Sequence, residues 1–148
     1  MAKRRAYLID GHSMIFSVRE LRDLHGKVPR RARDLLCSSL ERFGDQSGDA
    51  VVIVFDGSGV SLSSQMSRGG VQIVYTPKGG AADDVIQEFA GRYGSIFDLT
   101  VVTKDSGERV IVEGFGVATM NPENFLQLLE RSEALFYQES RKYLRNDE

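Results

Sequence analysis

Ala50-Val51-Val52-Ile53-Val54-Phe55 runs without a polar residue into Asp56-Gly57. A run this short, rich in β-branched residues and closed by a turn pair, reads as a strand buried on both faces, the form taken by inner strands of a parallel sheet. Two more runs share its build. Ala6-Tyr7-Leu8-Ile9 stops at Asp10-Gly11, and Phe97-Asp98-Leu99-Thr100-Val101-Val102-Thr103 leads to Lys104-Asp105. A fourth, Val71-Gln72-Ile73-Val74-Tyr75-Thr76, alternates more and ends at Pro77. Between them, Ala32 to Phe43 places Leu35, Leu36, Leu40 and Phe43 at helical spacing, and Ala81 to Tyr93 does the same with Val85, Ile86, Phe89 and Tyr93. Asn121 and Pro122 suit the cap and first position of a long C-terminal helix, to about residue 145, with Phe125, Leu128, Leu129 and Leu135 as its inner stripe. Gly57 to Gly70 holds four glycines and five serines and predicts a mobile loop or a poorly packed short helix. Strands alternating with helices predict an α/β three-layer sandwich around a mostly parallel central sheet.

The 148 residues, 41% of them hydrophobic, suffice for one domain spanning 1–148 with a real core. A single cysteine, Cys37, excludes an internal disulfide framework and a cysteine-rich zinc site, and it shares an apolar helix face with Leu36 and Leu40. His12 and His25 are too few and too separated for a zinc site. No apolar run reaches the roughly 18 residues of a membrane span. The basic start, Lys3-Arg4-Arg5, meets Asp10 too soon for a signal peptide, so a cytoplasmic location is expected. The net charge of −2 hides an asymmetry: residues 1–42 carry +5 and residues 43–148 carry −7. Such a chain can grip a polyanion on one side and gather cations on the other.

In an open parallel sheet, ligands bind at the carboxyl ends of the strands. Asp10, Asp56 and Asp105 each lie just past such an end, and Asp83 and Asp84 open the helix after Lys78-Gly79-Gly80, expected to be flexible. Each has a plainer role available, as a turn residue or at a helix N-terminus. Their convergence on one rim points further. Carboxylates this close repel unless a cation neutralises them, and oxygen-only ligands favour Mg²⁺ or Mn²⁺. Such an ion activates water and stabilises charge on a phosphodiester.

Tyr7-Leu8-Ile9-Asp10-Gly11-His12-Ser13 resembles the opening strand and Asp-Gly-Tyr-Asn motif of the NYN domains, particularly their YacP-like branch, within the PIN-like ribonuclease fold. Val52 to Asp56, Val74-Tyr75-Thr76 and Ala82-Asp83-Asp84 follow in the family's order. Its Thr-Ser-Asp-x-x-Glu appears as Thr103-Lys104-Asp105-Ser106-Gly107-Glu108, and Gly114 to Met120 resembles its passage to the last strand. The resemblance implies a metal-dependent endoribonuclease acting on single-stranded RNA, in some relatives on messenger RNA at the ribosome. Position by position, it makes Asp10, Asp83 and Asp105 the principal metal-binding acids. Asp56 ends the second core strand in support, Asp84 replaces a neighbouring glutamate, and Glu108 matches the final acid in a supporting role. Two positions depart. The family's ligand-orienting asparagine falls on Ser13, and the serine before its last aspartate falls on Lys104, which can pair with an acid and compete with the metal or bind a substrate phosphate.

Basic residues supply expected RNA contacts. Arg30, Arg31 and Arg33 open a predicted helix, and Arg68 sits in the serine/glycine segment. Tyr75 and Phe115 can stack on bases, although aromatics in strand and core contexts usually pack internally. A net charge of −2 predicts modest affinity for naked RNA, with a partner supplying the rest. Two alternatives stand beside the nuclease: a catalytically impaired RNA- or ribosome-binding module, and aspartyl-phosphate chemistry on Asp10, Asp56, Thr76 and Lys104.

Overall fold

The computed structural model describes residues 2–57, the backbone of 64–68, and residues 70–77 and 81–132. Strands β1 (Arg5–Asp10), β2 (Ala50–Phe55), β3 (Ser64–Arg68), β4 (Val71–Tyr75), β5 (Asp98–Val102) and β6 (Ala118–Met120) form one sheet in the order β3-β4-β2-β1-β5-β6. All neighbours pair in parallel except β3, which lies antiparallel along the β4 edge.

The predicted burial of the inner strands has a direct structural expression. Tyr7, Ile9, Val51, Ile53 and Phe55 face one core, with Met14, Ile15, Leu36, Leu40 and Phe43 above them. Ala6, Leu8, Val52, Val54 and Val74 face the other, against Ile86, Ala90 and Val112. Alternation along each strand thus fills two layers at once. The first layer is α1 (Gly11–Ser17), α2 (Arg19–Lys27), α3 (Pro29–Ser47) and a helix over residues 122–132; the second is α4 (Ala82–Tyr93) and α5 (Ser106–Gly114). Tyr7, Phe43 and Phe125 meet at centroid distances of 5.3–5.5 Å and pin the C-terminal helix to the sheet. That helix begins as predicted, with the Asn124 N–H donating to Asn121 Oδ1 at 2.8 Å.

Some expectations change in detail, and others, including the loop reading over 58–63 and at 69, fall outside the described residues. Residues 64–68 form β3 rather than part of a loop or short helix; pairing with an existing edge supplies order that the serine-rich sequence does not advertise. The expected flexible Lys78-Gly79-Gly80 and the continuation of the C-terminal helix past 132 lie outside the described residues. α3 starts earlier and ends later than its apolar pattern, from Pro29 at its first turn to Gly48, whose φ of 74° stops it. Its buried stripe is Leu36, Cys37, Leu40 and Phe43, while Leu35 faces outward.

Gly11 joins β1 to α1 at a point with no room for a side chain. A Cβ there would meet the Phe55 ring and lie 2.9 Å from the Val54 carbonyl oxygen. Gly11→Ala is therefore expected to destabilise the protein by about 1–3 kcal/mol, as overpacked core positions do, read from the midpoint of urea denaturation.

Candidate active site

β1 is followed by helices on one layer and β5 by a helix on the other. The crevice between their carboxyl ends is the switch point where doubly wound sheets bind ligands. Asp10 ends β1, and Thr103 follows β5 directly across the parallel pairing of Ile9 with Val102. Asp83 enters from the first turn of α4 and Glu108 from the first turn of α5. One carboxylate oxygen from each of Asp10, Asp83 and Glu108 lies within 4.8 Å of the other two.

A hydroxyl network fixes this cluster from beneath. Ser13 donates from Oγ to Asp10 Oδ2 at 2.9 Å, while its backbone N–H donates to Asp10 Oδ1 at 3.3 Å. The buried Thr103 hydroxyl stands 3.2 Å from Asp10 Oδ2 and 3.3 Å from Glu108 Oε2, with one hydrogen for two carboxyl groups. Its oxygen also accepts the Asp105 N–H at 3.2 Å. Glu108 is 2% exposed, and its Oε1 has no hydrogen-bond partner among the described residues. Burial, then the neighbouring Asp83 and Asp10 charges, push the Glu108 carboxyl up to about 8. Desolvation raises Asp83 too, and the Asp105, Asp10 and Asp56 charges add to it. The nearby Asp83 carboxyl holds Glu108 up, while Glu108 partly offsets the rise at Asp83.

The remaining acids ring the cluster. Asp56 Oδ1 accepts the Ala82 N–H at 2.6 Å, so the acid ending β2 caps the start of α4, whose own preceding residue, Ala81, gives no side-chain cap. Asp56 Oδ2 lies 3.8 Å from His12 Nε2. Asp105 is exposed and caps α5, accepting the Glu108 N–H at 3.1 Å. The tight cluster differs in membership from the set of acids expected to bind metal, Asp10, Asp83, Asp84 and Asp105. Glu108, expected only in support, takes the third place in the tight cluster, while Asp105 stands at its rim. Asp84 is exposed and outside the cluster, because consecutive helical residues point about 100° apart and Asp83 takes the inward direction. Thr103 entered the sequence reading only as a strand end and as the first residue of the Thr-Ser-Asp-x-x-Glu match, with no role of its own; its place between two acids became visible only in the fold.

The family model for the YacP-like NYN domain matches residues 7–148. The chain belongs to that family. A Bacillus subtilis protein described as the uncharacterized protein YacP is 27% identical over 137 residues, 91% of this chain and 81% of that one. The crystal structure of Rae1 (YacP) from Bacillus subtilis superposes with a TM-score of 0.83 at 25% identity, covering 96% of this chain and 83% of that one. Its W164L mutant gives the same TM-score and identity over 95% and 84%. The α/β, PIN-like fold is thus that of the YacP-like NYN domain, within a superfamily of nucleases.

Against that family's pattern, both departures have structural answers. Ser13 still orients Asp10, because a residue three positions into the helix reaches its cap through both backbone N–H and hydroxyl. Lys104 turns away from the acids: its Nζ lies 3.7 Å from Glu123 Oε1 on the C-terminal helix, and its backbone N–H donates to Ser13 Oγ at 3.1 Å. Nor does a receiver-like grouping form, since the Thr76 hydroxyl accepts the Gly57 N–H at 2.8 Å and Lys104 faces Glu123. Arg30 and Arg31 are exposed in the first turn of α3 and Arg33 is half-buried; the Arg68 side chain lies outside the described residues. Tyr75 stacks on Phe55 at 5.5 Å, and Phe115 is exposed past the far end of α5. Among the described residues, no helix is long and apolar enough to cross a membrane.

The raised Glu108 carboxyl sets a pH dependence. Between the ordinary carboxyl value of 4.5 and about 8, the folded chain binds a proton that the unfolded chain has released. Stability without divalent cations should therefore fall as pH rises through this window. Urea midpoints measured in EDTA should show that fall, and Glu108→Gln should flatten it, leaving a smaller slope of the same sign from Asp83.

Proposed function

We propose that the protein is an endoribonuclease that hydrolyses single-stranded RNA with Mg²⁺ or Mn²⁺ held by Asp10, Asp83 and Glu108. The observation that carries this reading is the Glu108 carboxyl, buried with an unpartnered Oε1 and facing two further acids. A carboxylate in that position asks for a cation or a proton. All donors are oxygens, which suits a hard divalent ion rather than zinc. When bound, such an ion supplies a water of lowered pKa and offsets charge on the phosphodiester in the transition state.

The chain's own residues do the rest. Ser13 and Thr103 hold Asp10 in one orientation, so the ligand set is formed in advance. Asp56 ties α4, and with it Asp83, to the end of β2. Asp105 uses Oδ1 for its cap and keeps a second oxygen at the solvent side, suited to accept the proton released by the attacking water. Arg30 and Arg31 supply forks for the RNA backbone, with Arg33 and Arg68 as further contacts. The chain's net charge of −2 gives little general pull on a polyanion, which extends the reading to RNA presented by a larger assembly such as messenger RNA on the ribosome.

The test is cleavage of a labelled, largely unstructured RNA with Mn²⁺ or Mg²⁺. EDTA should abolish cutting, Asp10→Asn should slow it more than about a hundredfold, and Ser13→Ala by about 10- to 100-fold, the usual range for a group that orients a metal ligand. Lys104→Ala should stay within about twofold, since its exposed pair with Glu123 contributes little. Cutting unaffected by EDTA would overturn the metal reading. RNA bound but left intact by folded protein with metal present would favour a binding module.

A further inference from the structure

Asp10 opens α1, and the next turn of that helix builds a second feature beside the acids. The buried face of α1 is Gly11, Met14 and Ile15, which leaves His12 and Phe16 on the outer side, one turn apart. Their rings lie nearly parallel, 12° apart with centroids separated by 6.0 Å. His25 of α2 closes the group edge-on, 5.1 Å from Phe16 and 6.4 Å from His12. Phe16 remains 48% exposed.

A lone exposed phenylalanine needs no explanation. Here three rings contact one another, and the cluster adjoins the acidic rim through the 3.8 Å approach of His12 Nε2 to Asp56 Oδ2. The chain that follows His25 is basic. Lys27 ends α2, and exposed Arg30 and Arg31 open α3. A half-exposed ring steadied by two others, beside the Asp56 carboxylate and followed in the chain by exposed basic residues, fits one ligand chemistry well: an unpaired base stacks on the ring while basic groups meet its phosphates.

We propose that Phe16, steadied by His12 and His25, is a stacking platform for an unpaired nucleobase of the RNA whose backbone crosses the acidic cluster. This rests on the ribonuclease reading and adds where the strand is held beside the site. Stacking tolerates every base, so the platform fixes the path of the strand more than its sequence.

The test uses full-length protein in EDTA, where RNA stays intact, and a fluorescent single-stranded RNA dodecamer alongside versions with one abasic position moved along the strand. For wild-type protein, one abasic position should weaken binding by about tenfold, in the range that loss of one base–aromatic stack produces. Phe16→Leu, which keeps apolar bulk without a ring, should weaken binding to intact RNA by a similar factor and remove the sensitivity to that abasic position. Phe16→Tyr should bind as wild type does, showing that the ring and not the fold is at issue. With Mn²⁺ added, Phe16→Leu should still cut at high RNA concentration, the loss falling on KM rather than kcat. Metal-dependent cleavage with no abasic effect, or Phe16→Leu binding like wild type, would overturn the platform and leave the nuclease standing. Wild-type protein that neither bound nor cut the RNA would overturn both.

Discussion

Asp10, Asp83 and Glu108 bring carboxyl oxygens within 4.8 Å of one another at a place where water hardly reaches Glu108. Three anions cannot be held there without relief. The cost of ionising a buried carboxyl is several kcal/mol, and neighbouring negative charge raises it further. A proton is one relief, favoured at Glu108 because burial and the neighbouring Asp83 and Asp10 charges push its carboxyl up to about 8. A divalent cation is the other, and the two exclude each other at the same oxygens. The acids at the carboxyl edge thus have two ways of losing charge open to them, and the fold itself holds them together.

What holds them is a repeated local device. Three helices, α1, α4 and α5, begin at this edge, and each start is capped by an acid: Asp10, Asp56 and Asp105 respectively. A cap contributes about 1 kcal/mol to its helix, and the positive end of the helix dipole partly offsets the acid's charge. The structural and chemical roles of these residues are therefore not rivals. Asp10 caps α1 through Oδ1 while Oδ2 takes the Ser13 and Thr103 hydroxyls. Below them, the inner strands are packed on both faces, so the ends from which the acids spring have little freedom to drift.

The inner strands and strand-end acids were legible because a run such as Ala50–Phe55 closed by Asp-Gly has few other readings. Which acids converge was less so. Asp83 and Asp84 are chemically alike, and only the phase of α4 against the sheet separates inward from outward. Glu108 looked peripheral because it lies past the strand end, inside the helix that follows; it reaches the centre because α5 rises directly from the β5 end with its first turn over the crevice. β3 left little mark in sequence, since the neighbouring β4 edge organises it. Phe16 was silent for a different reason: its significance comes from His12 and His25, brought against it by the bend between α1 and α2, and from no periodicity of its own.

The two departures from the family pattern show how much of such a site resides in backbone position. Serine is too short to replace an asparagine atom for atom. At position 13, however, the third residue after a capping aspartate presents its N–H to that aspartate in any helix, and a hydroxyl on the same residue needs little reach to add a second bond. Lysine at 104 would oppose a bound cation if it faced the acids. Its backbone N–H donates to Ser13 Oγ, which anchors the peptide at the crevice while the side chain leaves toward Glu123. The serine and the lysine are thus linked by one hydrogen bond, through which the main chain that follows β5 is fastened to the helix that follows β1. The bond draws on the amide of residue 104, which any residue but proline supplies, so the position accepts a lysine as long as its charge stays out of the site, and the pair with Glu123 keeps it there.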